Sequence, residues 1–259
     1  MNELWSVVDA LADAARVETQ RHFRQADLQT ESKRADFDPV TVAERGAEAA
    51  LRAVLATLRP DDAIFGEEFA AKAGTSGLTW VLDPIDGTRS YISGTPTWGV
   101  LVACSDADGP VLGAIDQPYI GERFYGGPGR ADMVGPLGQR ALKVRGTTDL
   151  ADATLFTTFP EVGTVDEARA FRRVADRVRL TRYGCDCYAY ALLAAGQIDL
   201  VIEAGLQAYD VQAPIAVIQA AGGIVTDWSG RPVHKGGQVI AAATPELHRA
   251  ALALMADSL

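Results

Sequence analysis

Apolar positions recur at helical spacing twice near the start of the chain. Leu4, Val7, Val8, Leu11, Ala14, Ala15 and Phe23 predict an amphipathic helix over residues 3–24. Ala43, Ala47, Ala50, Leu51, Val54, Leu55 and Leu58 repeat the pattern, predicting a second helix over 41–58 that Pro60 and Asp61 end. The polar stretch 29–39 between them reads as a connection. Short apolar runs bounded by turn residues follow at 63–65, 80–82, 98–104, 111–115 and 123–125, the pattern of an antiparallel or mixed sheet. The glycines from Gly121 to Gly138 fit hairpin turns and lack the spacing of a dinucleotide-binding loop.

After about residue 145 the order becomes strand (154–158), helix (165–178), short strand, helix (187–195), strand (199–203), helix (211–221) and strand (223–226). Such alternation predicts a second α/β lobe. The expected organisation is an N-terminal α+β lobe, 1–145, packed tightly on a C-terminal α/β lobe, 146–259, with no repeat or long linker.

Composition narrows the function classes. A chain of 259 residues, 48% hydrophobic, is long enough to bury a substantial core, yet no run approaches the roughly 20 apolar residues of a membrane span. The early acids of the N-terminus do not fit a signal sequence, so a soluble, cytoplasmic chain without a membrane partner is expected. A formal net charge of -10 argues against nucleic acid and anionic lipid, which demand basic surface. Clustered carboxylates can nevertheless gather divalent cations, and these in turn bind phosphate. Cys104, Cys185 and Cys187 are too few for a disulfide framework and lack the further ligands of a zinc site, so reduced thiols are expected.

The informative chemistry is a set of acids at predicted strand ends. Trp80, Val81 and Leu82 carry a buried strand to Asp83, and Pro84, which cannot donate to a ladder, is expected to stop it with Asp83 and Asp86 projecting. Gly87 permits a tight turn, and the amides of Gly87 and Thr88 form a candidate phosphate nest if a helix begins there. Ile64, Phe65 and Gly66 repeat the logic ahead of Glu67 and Glu68. Asp210 follows an apolar strand and precedes a helix starting near Val211, with Pro214 tolerable in its first turn. Bare carboxylates converging this way repel one another, and Mg²⁺, which prefers oxygen ligands, relieves the repulsion. An acid at a strand end is ordinarily a solvated loop residue or a cap; that reading suits Glu68 and Asp227.

The segments Gly66-Glu67-Glu68, Trp80 through Thr88, and Tyr209-Asp210 resemble, in order, the GEE, WxxDPIDGT and [WY]D hallmarks of the inositol monophosphatase superfamily. Supporting stretches extend the resemblance over roughly residues 35–240. The resemblance implies an αβαβα sandwich, commonly a homodimer. It also implies two or three Mg²⁺ per site: Glu67, Asp83 and the Ile85 carbonyl on one, Asp83, Asp86 and Asp210 on a second. The implied reaction is direct attack of a metal-activated water on phosphorus, with Thr88 orienting the water. Glu44 stands where the family has an aspartate that assists Thr88, and a glutamate here fits equally an exposed helix residue.

Substrate choice belongs to residues outside the metal cluster. Glu203 aligns with a family position that contacts the alcohol portion, and Asp186 adds an anion where inositol phosphatases carry small neutral residues. Two acids near the leaving group suit a cationic ester. The run RYGCDCYAY, residues 182–190, resembles the histidinol-phosphate phosphatase branch, whose substrate carries an ammonium and an imidazole. Arg182 is a candidate for phosphate or for a dimer interface; Asp186 is alternatively a cap for a helix at Cys187, and Tyr188 and Tyr190 are alternatively core or interface residues. The rival substrates are inositol 1-phosphate and, lacking an adenine-pocket signature, a 3'-phosphonucleotide. A noncatalytic metal-dependent binding protein is the rival of a different class, against which the full acid set with Thr88 argues.

Overall fold

The computed structural model describes residues 2–25, 30–32 and 39–256. Both predicted N-terminal helices form, α1 (Asn2–His22) and α2 (Val42–Leu58). Helix α2 starts on a capping box: the Thr41 hydroxyl accepts from the Glu44 amide, and the Glu44 carboxylate accepts from the Thr41 amide. The stretch 29–39 carries parts of a short antiparallel pair, β1 (Thr30–Ser32) and β2 (Pro39–Thr41); residues 29 and 33–38 of it lie outside the described residues.

The first sheet, seven-stranded among the described residues, runs in chain order: β3 (Ala63–Gly66), β4 (Thr79–Asp86), β5 (Gly99–Asp106), β6 (Gly109–Gln117), β7 (Glu122–Gly127), β8 (Arg130–Gly135) and β9 (Gly138–Ala141). Only β3 and β4 pair in parallel; every other neighbour is antiparallel. The short helix α3 (Thr88–Ile92) leaves the end of β4. The second sheet comprises β10 (Thr154–Thr157), β11 (Leu180–Tyr183), β12 (Leu200–Gln207), β13 (Ile224–Thr226) and β14 (Gly236–Ala242), ordered β11-β10-β12-β14-β13. Its helices are α4 (Val165–Ala175), α5 (Asp186–Ala194), α6 (Ala208–Ala220) and α7 (Pro245–Ala256).

The layers follow from which helices are apolar all round. Helix α6 buries Val211, Ala213, Ile215, Ala216, Val217 and Ile218, which a helix does when sheets cover it on both sides. It lies on β5, β6 and β7 of the first sheet and on β12, β13 and β14 of the second, with α5 beside it. Gly113 and Gly126 admit this approach: a Cβ on Gly113 would stand 2.9 Å from the Ala213 Cα, and one on Gly126 would overlap the Val217 backbone. Helices α1 and α2 cover the outer face of the first sheet, and α4 and α7 pack together outside the second. The result is an αβαβα sandwich in which middle-layer helices from after residue 145 pack on the sheet built before it.

Two local expectations need correction, and two elements were missed. Strand β4 does not stop at Pro84 but runs to Asp86, because the pairing slips from Asp83↔Leu101 to Asp86↔Gly99 and the proline falls in the bulge, where the ladder asks no N–H of it. Helix α6 begins at Ala208, so Asp210 is its third residue and Pro214 lies in the second turn, leaving the Asp210 carbonyl without its usual helical donor. Strand β14 and helix α7 were not anticipated at all, since the alanine-rich 241–243 has low strand propensity and obscures the pattern.

Candidate active site

The ends of β3 and β4 and the start of α6 meet at one cavity of about 260 Å³ whose wall includes Glu67, Asp83, Ile85, Asp86, Thr88 and Asp210. Asp83, Asp86 and Asp210 each bring one carboxylate oxygen within 4.8 Å of the others. Local bonds set each orientation. The bulge at Pro84 lets the Ile85 amide donate to Asp83 Oδ1 at 3.1 Å. The Cys187 amide, at the start of α5, donates to Asp86 Oδ2 at 2.5 Å, and the Gln207 amide donates to Asp210 Oδ2 at 2.6 Å.

Burial, then mutual repulsion, raises Asp83 and Asp86 well above the carboxylate range; for Asp83 the repelling neighbours are Glu67, Asp86, Asp210 and Glu44. Burial raises Asp210 to about 6 against hydrogen bonds that oppose it. An oxygen-only donor set whose charged forms are disfavoured by burial and mutual repulsion fits a hard divalent cation.

Glu44 is not an exposed helix residue. It is fully buried, and its Oε1 accepts the Thr88 hydroxyl at 2.6 Å. Helix α3 does begin at Thr88, after Gly87 in left-handed conformation at φ 87°. A Cβ at Gly87 would lie 2.8 Å from the Asp186 carboxyl carbon, so glycine is required there on two counts.

Asp186 does not cap α5. The cap position is Cys185, and the Asp186 carboxylate instead accepts the Ser90 hydroxyl at 2.6 Å on α3. It lines both the acid cavity and a second cavity of about 260 Å³ behind it. Glu203 is on the wall of that second cavity, accepting from the Thr158 amide at 2.7 Å, the Thr158 hydroxyl at 2.9 Å and the Thr157 hydroxyl at 3.3 Å. Burial dominates over these bonds and raises Glu203 to about 7. Tyr190, also on the wall, has a buried hydroxyl with no partner among the described residues, whereas Tyr188 donates to Glu122 at 2.5 Å and packs against Phe124. Arg182 is not brought to the site: it is exposed on the edge strand β11 and lines neither cavity.

The sequence profile of the inositol monophosphatase family matches residues 2–259. The chain belongs to the inositol monophosphatase family. It is 40% identical to the bifunctional phosphatase IMPL2, chloroplastic, of Arabidopsis thaliana, over 95% of this chain and 73% of that protein. It is 35% identical to the histidinol-phosphatase of Streptomyces coelicolor, over 92% and 91%. A solved inositol monophosphatase from Zymomonas mobilis superposes with a TM-score of 0.85 at 38% identity, covering 97% of this chain and 96% of that one. The family is metal-dependent, in keeping with the acid cluster.

In this member of the inositol monophosphatase family a divalent cation held at the cluster would make metal binding and folding pH-linked in opposite senses. Carboxylates raised above their ordinary 3.8 favour the folded state most when protonated, so their contribution is full below that value and is lost as pH rises through the folded value, about 6 for Asp210. The metal-free protein should therefore lose melting temperature from about pH 4 to 6 through Asp210 and further above that through Asp83 and Asp86, while the gain on adding Mg²⁺ grows as pH rises. Thermal melts with chelator and with Mg²⁺ across that range check both slopes.

Glu48 escaped the sequence reading. One turn after Glu44 on α2, it is buried, accepts Arg52 Nε at 2.8 Å and accepts the Glu68 amide at 2.6 Å, tying down the loop that carries Glu67. Any Cβ at Gly66 would overlap its carboxylate, so the glycine and the glutamate imply each other. Glu48→Ala should weaken Mg²⁺ binding about 10- to 100-fold by calorimetry, the range for supports of metal ligands, with Glu48→Gln milder because it keeps an acceptor for Glu68.

Proposed function

We propose that the protein hydrolyses L-histidinol phosphate to L-histidinol and phosphate with two or three Mg²⁺ at its acid cluster. The observation that carries the substrate reading is the second cavity, whose wall includes the carboxylates Asp86, Asp186, Glu203 and Asp210 and, among the described residues, no lysine, arginine or histidine. Such a pocket repels an anionic alcohol portion and receives a cationic one through charge-assisted bonds. Glu203, raised to about 7, is only partly ionised near neutrality without a partner, and an ammonium or imidazolium arriving beside it favours its charged form. The similarity to a histidinol-phosphatase over nine-tenths of both chains supports the same substrate.

Glu67, Asp83, Asp86, Asp210 and the Ile85 carbonyl would hold the metal, which supplies the charge that activates water and neutralises the phosphate oxygens. The chain does the positioning. Thr88 gives its hydroxyl hydrogen to Glu44, so its oxygen lone pairs remain to accept from the attacking water. Burial makes Glu44 a stronger proton acceptor than an ordinary carboxylate, which suits it to share that proton. Gly87 and Thr88 are on the cavity wall, where their amides would donate to phosphate. Asp186, bridging the two cavities, sits where ester and alcohol would join.

Comparison of kcat/KM for L-histidinol phosphate, inositol 1-phosphate and a 3'-phosphonucleotide tests the reading. A preference of at least about tenfold for the first is expected, since one charge-assisted bond contributes about that much. A preference for inositol 1-phosphate would replace the substrate and leave the metal site standing.

A further inference from the structure

Phe159 is a large apolar residue left 43% exposed at the mouth of the site. It is on the wall of both the acid cavity and the cavity behind it. Its backbone is anchored on both sides, and its ring has the Arg89 guanidinium as a neighbour. Before it, the Thr158 amide and hydroxyl are both bonded to Glu203. After it, Pro160 restricts the backbone conformation of Phe159 itself. Beside it, the Arg89 guanidinium stands 5.0 Å from the ring centroid. A fixed aromatic ring with free surface between two cavities offers a stacking face to whatever leaves the phosphorus centre.

The geometry points to Phe159 as a specificity-determining residue that stacks on a flat ring carried by the leaving alcohol. This deepens and rests on the substrate reading above. The acids Asp186 and Glu203 answer the charge of the alcohol portion, and Phe159 answers its planarity, since the ring faces of aromatic side chains attract both flat π-systems and cations. Neither tyrosine of the run 182–190 serves this purpose: Tyr188 donates to Glu122 and Tyr190 is buried, leaving Phe159 as the exposed ring of the two cavities among the described residues.

The test compares L-histidinol phosphate, benzyl phosphate and isobutyl phosphate on the wild type, Phe159→Leu and Phe159→Trp, read as kcat/KM or, for an ester not turned over, as its inhibition constant against the best substrate. Phe159→Leu should lower the two flat esters roughly 3- to 10-fold and isobutyl phosphate less than about twofold, with Phe159→Trp restoring the flat esters. Melting temperatures should stay together, because the side chain is exposed. An equal change for all three esters, or none, would overturn the assignment. Should the wild type prefer inositol 1-phosphate, the histidinol reading fails separately, and the benzyl-to-isobutyl ratio still decides for or against Phe159.

Discussion

Asp83→Asn is expected to lower phosphate release by at least about a thousandfold while raising the melting temperature of the metal-free protein at pH 8. Asp83 is almost wholly buried and faces Glu67, Asp86, Asp210 and Glu44, so without a cation its charge opposes folding. Asparagine keeps the oxygen that accepts the Ile85 amide and removes the charge. Stability and catalysis should therefore move in opposite directions, which a merely structural aspartate would not produce. Activity assays beside thermal melts in chelator check the pair of outcomes. Substantial turnover by the variant would remove Asp83 from the metal site.

Thr88→Val should cut kcat by about a hundredfold with the fold intact, the loss typical of a positioned proton-transfer group. Valine matches the shape but loses both the 2.6 Å bond to Glu44 and the 3.5 Å approach to the Ile85 carbonyl. Glu44→Gln should cost a similar factor, and the double variant little more than either single, because the two residues act through one hydrogen bond. Rates for the four proteins close the cycle. Losses that multiply would show that Glu44 and Thr88 work independently.

Much of this arrangement was legible before any coordinates. Helical spacing placed α1 and α2, and apolar runs placed β3 to β7, because those elements bury one face or both and must write that burial into the chain. The acids of the site were visible because Glu67 and Asp83 directly follow the apolar runs 64–66 and 80–82, Asp86 stands just past Pro84, and Asp210 lies between an apolar strand and a helix. What could not be read is whatever depends on distant neighbours. Glu44 and Glu48 are acids on an amphipathic helix, indistinguishable by pattern from solvated ones until α2 is laid beside β3 and α3. For Asp186 the sequence left substrate contact and helix cap both open, and left-handed backbone at Cys185 and Asp186 turns its carboxylate to Ser90 instead of capping α5. Phe159, in a loop of no period, became notable only where two cavities meet. Arg182, a cation near the presumed site in sequence, lies on an exposed sheet edge away from both cavities, where only the interface alternative keeps a place for it.

The central claim is that a carboxylate cluster built from Asp83, Asp86, Asp210 and Glu67 does its chemistry through a bound divalent cation. Its most direct test is phosphate release from L-histidinol phosphate by chelator-treated protein before and after Mg²⁺ is restored. The account predicts release that is negligible in chelator and recovers with Mg²⁺ in the wild type but not in Asp83→Asn. Release undiminished by the chelator would contradict it.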